Sequence, residues 1–105
     1  MKSTMEIELE QYAKRAYGEN EPPFKIAAIM QYEAGDVVRN STRIDDFPDL
    51  EGIYKKQAQV SMGDVLAMAQ LLCSKMGWSF QDLYEDGCQR AIDRCKEILE
   101  GKDGF

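Results

Sequence analysis

The sequence predicts an all-α fold, four main helices in a single domain spanning residues 1–105. Apolar residues recur at helical spacing in four separate stretches, no stretch alternates at period two for long enough to make a strand, and glycine or proline falls at the joints. The first helix takes residues 5–17, where Ile7, Leu9, Tyr12, Ala13 and Ala16 lie among charges. Thr4 is its expected N-cap and Gly18 its stop. A polar connection follows, in which Pro22 and Pro23 suit a helix start because the first turn has no use for their missing N–H.

The second helix is expected over residues 23–39, with Ile26, Ala27, Met30, Ala34, Val37 and Val38 on one stripe. From Asn40 to about Gly52 the period is lost, and Asp45, Asp46, Asp49 and Glu51 mark an acidic loop. The third helix is expected to begin between Ile53 and Gln57 and to end at Met76, before Gly77. Its stripe is Val65, Leu66, Ala69, Leu72, Cys73 and Met76. Ser79, followed three residues later by Asp82, reads as the cap of a fourth helix that runs to about Glu100, with Gly87 inside it. The residues from 101 onward read as a frayed tail.

A chain of 105 residues can bury roughly two thirds of the surface its unfolded form exposes, enough to fold alone. Its net charge of −6 disfavours a nucleic-acid polymer or an anionic membrane as partner. Neither a long apolar run nor a basic-then-apolar leader is present, so a cytoplasmic protein is expected. With no histidine, a Ser-His-Asp or Cys-His nucleophile and a histidine-ligated zinc are excluded. Cys73, Cys88 and Cys95 form no C-x-x-C pair and read as free, buried thiols. Any catalysis therefore rests on carboxylates, lysines, tyrosines or a bound metal.

Carboxylates are where the pattern concentrates. Tyr32-Glu33-Ala34-Gly35-Asp36-Val37 and Ser61-Met62-Gly63-Asp64-Val65-Leu66 share a Gly-Asp-Val core, each inside an apolar-periodic segment. Glu33 and Asp36 are three residues apart and share a helix face, as do Ser61 and Asp64. If the two segments pack antiparallel, Glu33, Asp36 and Asp64 converge, and three hard oxygen donors between helices suit Mg2+. A glycine inside a helix costs about 1 kcal/mol relative to alanine. Gly35 and Gly63 are therefore expected either to let the two helices approach closely or to break them.

These two motifs, with the turn Met76-Gly77-Trp78-Ser79-Phe80, resemble the MazG-like nucleoside triphosphate pyrophosphohydrolases over residues 26–94. That family carries Glu-Glu-x-x-Glu on one helix and Glu-x-x-Asp on the next. Here Tyr32 replaces the first glutamate, Asp36 shortens the third, and Ser61 replaces the glutamate of the second motif. The resemblance implies a four-helix MazG-like bundle completed by oligomerisation as a homodimer or homotetramer. It also implies Mg2+ held by Glu33, Asp36 and Asp64, with Glu33 as the catalytic base. Arg90 and Arg94 match two cations of a run that helps hold phosphates in the family, and Ser61 joins them as a substrate contact. Arg90 and Arg94 equally fit surface pairs with Asp86, Asp93 and Glu97. The implied reaction is hydrolysis of a nucleoside triphosphate to the monophosphate and pyrophosphate. A nucleotide- or metal-binding module without turnover and a structural helical interaction protein are the alternatives.

Overall fold

Helix starts and stops are set by local chemistry that a computed structural model resolves over residues 3–18 and 22–101. The first helix, α1 (Thr4–Tyr17), is capped one residue earlier than expected, by Ser3 in place of Thr4. Ser3 Oγ accepts from the Glu6 N–H and Glu6 Oε2 accepts from the Ser3 N–H, both at 3.2 Å, a reciprocal capping box. Gly18, at φ 92°, ends the helix. The second, α2 (Pro23–Asp46), starts at the second of the two prolines, as the sequence predicts.

Here the structure departs from the sequence reading. The segment expected as loop continues α2 by seven residues, from Asn40 to Asp46, and only a 3₁₀ turn over Pro48–Leu50 separates it from α3 (Glu51–Met76). Polar residues with weak helix propensity are held helical because the extension packs in a hairpin against the start of α3. Arg43 lies over the Tyr54 ring at 5.7 Å, and Tyr54 meets Phe47 at 6.1 Å, so one cation and two rings brace the turn. Thr42 Oγ1 donates to the Val38 carbonyl at 2.9 Å and keeps its hydroxyl satisfied within the helix.

The helix α3 ends at Gly77, φ 73°, where the Trp78 N–H reaches the Cys73 carbonyl at 2.8 Å, a Schellman-type close. Ser79 then caps α4 (Phe80–Leu99) by accepting from the Asp82 N–H at 3.2 Å. Both joints match the sequence reading. All described regular structure is helical, and among the described residues no helix is long and apolar enough to cross a membrane.

Packing is concentrated in the antiparallel α2–α3 hairpin. Ile26, Leu71 and Cys73 are the buried apolar side chains, joined by Asn40 and Ser61. By contrast, α1 and α4 each touch little besides α3, and neither buries a single side chain. The radius of gyration is 16.9 Å, against about 13 Å for a compact chain of this length. One consequence corrects the cysteine expectation: Cys73 is buried but Cys88 and Cys95 are exposed, because α4 has nothing packed on its apolar face. All three are free.

The glycine expectation also fails in both its forms. Helices run unbroken through Gly35 and Gly63, yet a Cβ at either position would meet open space. Both face away from the hairpin seam, so close approach is not their role there. Gly35→Ala and Gly63→Ala should each stabilise the chain, by about 0.5–1 kcal/mol, because alanine orders a helix at lower entropic cost. Chemical denaturation of the two variants checks this; a loss of stability in either would mean that the space is occupied in solution.

Candidate acidic site

The hairpin register decides which acids meet. Glu33 on α2 faces Asp64 on α3 across the seam, close enough for the two charges to act on each other. A step of seven residues is close to two helical turns. It therefore carries Glu33 to Ile26 and Asp64 to Leu71, both of which are buried. The antiparallel packing on which the convergence of the acids was conditional is present, α2 and α3 being joined by the short turn at Pro48–Leu50.

Glu33 is partly exposed, and its carboxyl is pushed above its ordinary value, first by loss of solvent around it, then by the charges of Asp64 and Asp36, then by the hydrogen bond to Asp64. Carboxylates this close disfavour one another's charged form, which is the sense in which Glu33 is shifted. The helix spacing places Asp36 one turn further along α2, where it turns to Arg39 instead, with Arg39 Nη2 2.6 Å from Asp36 Oδ1. Among the described residues no group of three or more acidic or thiol side chains is arranged to hold a metal ion, although Glu33 senses both aspartates. Asp64 itself is exposed, so water solvates it and apolar neighbours do not isolate its charge.

The donor set suits a hard divalent cation in its chemistry, since all three groups are carboxylates. Filling the set requires Asp36 to exchange Arg39 for the cation. Ser61 is buried on α3 within one turn of Asp64. Tyr32 is exposed, and with Gln31, Asp36 and Arg39 it lines an open groove of about 450 Å³ along α2, beside the acids.

Arg90 and Arg94 lie on exposed α4, which does not pack against α2, so one chain alone does not bring them to the acids. Lys55, near the start of α3, pairs with Glu51 at 3.0 Å. Sequence reasoning missed Arg39, although its position three residues after Asp36 is a readable pairing signal. It also missed Asn40, read as the start of a loop. Asn40 is 4% exposed, and its Oδ1 has no hydrogen-bond partner among the described residues.

A buried acceptor left unpaired costs about 1–3 kcal/mol. Asn40→Leu, which removes that acceptor at similar volume, should therefore raise the melting temperature by about 4–8 °C for each kcal/mol regained. A lower melting temperature would show that Asn40 is engaged in solution. No family model, curated protein or solved structure matches the chain.

Proposed function

We propose that the chain is a magnesium-dependent nucleotide pyrophosphohydrolase, cleaving a nucleoside triphosphate between its α- and β-phosphates. The observation that carries this reading is the meeting of Glu33 with Asp64 across the hairpin, with Asp36 close enough to act on the same carboxyl. Bound Mg2+ would neutralise phosphate charge and favour the loss of a proton from water. Glu33, Asp36 and Asp64 are the residues that would hold it.

Glu33 has a second task. A general base works best when its pKa approaches the working pH, and the crowding that raises Glu33 moves it in that direction. Glu33 takes a proton from water as the water oxygen bonds to the α-phosphorus. The bond to the bridging oxygen breaks, and pyrophosphate leaves with the electron pair. Ser61 offers a hydroxyl near the phosphates. Arg90 and Arg94 enter this reading only if a second copy carries α4 to the seam, which is consistent with homo-oligomerisation and with the openness of the single chain.

Two observations favour binding without turnover as the second reading. Ser61 is a buried hydroxyl where a fourth carboxylate would complete the set, and Arg39 already occupies Asp36. Pyrophosphate release from a panel of ribo- and deoxyribonucleoside triphosphates, with magnesium and with chelator, separates the two. Magnesium-dependent release supports the enzyme. Ligand binding with no release across the panel supports the binding module.

A further inference from the structure

Gly35 weakens α2 relative to alanine, yet no neighbouring helix uses the space above it. What the missing side chain leaves is a notch. Ala28, Gln31, Tyr32, Gly35, Asp36 and Arg39, all from α2, line the open groove of about 450 Å³ that runs through it. Small-molecule sites span roughly 300–1,000 Å³, so the volume suits one. At about 1.5 Å of rise per residue, the groove is roughly 16 Å long from Ala28 to Arg39.

Its two ends differ in chemistry. At one end stands Tyr32, an aromatic ring that is 79% exposed, with the Gln31 amide beside it. At the other, Arg39 keeps 57% of its side chain exposed while it pairs with Asp36. Asp36 belongs both to the groove and to the acid set that crowds Glu33, so a ligand lying in the groove meets the acids at its Arg39 end. A ring that can stack on a base and a cation that can take phosphate, with a bare backbone between them, match the parts of a nucleotide in order.

We propose that the α2 groove holds the nucleotide, with the base stacked on Tyr32, the sugar over the Gly35 notch, and the phosphates at Arg39 beside the acids. The assignment rests on the nucleotide reading above and adds to it the residues that hold the substrate within one chain. Arg39 takes two partners in turn. A cation taken up by Asp36 displaces the guanidinium, which is then free to pair with phosphate one helical turn away. All six lining residues come from one helix, so the groove covers one side of the ligand, and stacking and charge carry the affinity.

The test uses the full chain, magnesium, and α,β-imido analogues of nucleoside triphosphates, which are not cleaved at that bond, with binding read by titration calorimetry. Gly35→Leu puts a good helix former into open space, so the fold should persist, as a melting curve checks. It should weaken the analogues by about tenfold or more, because its side chain stands where the sugar lies. Tyr32→Ala should weaken the analogues by about 5- to 100-fold, the scale of base–aromatic stacking, and leave inorganic triphosphate unaffected. Arg39→Gln should weaken both by about 10- to 100-fold, yet tighten magnesium binding measured without nucleotide, since Asp36 loses its competitor. A mere surface ion pair would give the second effect without the first.

Analogue affinity unchanged in Gly35→Leu or Tyr32→Ala, or inorganic triphosphate bound as tightly by Arg39→Gln as by wild type, would each overturn the groove. With wild type still releasing pyrophosphate, such a result leaves the nucleotide reading standing. Failure of wild type to bind any analogue overturns both.

Discussion

Asp64→Asn should lower magnesium-dependent pyrophosphate release by about 10²-fold or more, the scale on which a single charge-stabilising group contributes to such a reaction. The fold should be unaffected. Asp64 is exposed on the middle of α3, so asparagine keeps the shape and solvation of the site and removes only the charge. Glu33 then loses a repelling neighbour, and a slight gain in melting temperature is the expected companion of the lost rate. A rate assay and a melting curve on the same preparation decide the matter. Undiminished turnover would remove Asp64 from the site, whereas loss of rate together with a large loss of stability would indicate a structural role.

The sequence carried the helix joints well, because their signals are local. Pro23 at the start of α2, Gly77 after α3 and Ser79 before α4 each satisfy or omit specific backbone N–H and C=O groups, whatever the rest of the chain does. The register of α2 against α3 was not legible in this way: the sequence offered antiparallel packing only as a condition and its register only through the resemblance of the two motifs, and it is the short turn at Pro48–Leu50 that folds the helices back on each other. The stretch from Asn40 to Asp46 was not legible. Its helix depends on Arg43 and Phe47 meeting Tyr54, a tertiary contact that overrides the weak propensity of asparagine, serine, threonine and aspartate. Nor was the exposure of Cys88 and Cys95, since an apolar stripe announces that a helix wants a partner and leaves open whether its own chain supplies one. Asp36 illustrates the limit for the site. Spacing placed it near Glu33, but the same spacing also offered it Arg39, and the two options differ only in side-chain geometry.

Glu33→Gln separates crowding from catalysis. Its first expected effect is on rate, a loss of about 10²–10⁴-fold if Glu33 is the base, because an amide cannot accept the water's proton. The wild-type rate should climb with pH as Glu33 loses its proton, on a limb lying above the ordinary carboxylate value of 4.5, and the variant should lack that limb. Stability should move in the opposite sense. A carboxyl whose pKa is raised on folding binds its proton more tightly in the native chain than in the unfolded one. Its contribution is therefore fully present below the unfolded value and is lost as pH rises through the folded value. Wild type should lose ground to Glu33→Gln between acid and neutral pH, so the melting-temperature gap in favour of the variant widens upward. Added magnesium should narrow the gap at neutral pH by offsetting the repulsion among Glu33, Asp36 and Asp64, and it should do so only in wild type. A gap that stays constant with pH would mean that the three acids do not crowd one another in solution, and the site would lose its electrostatic basis.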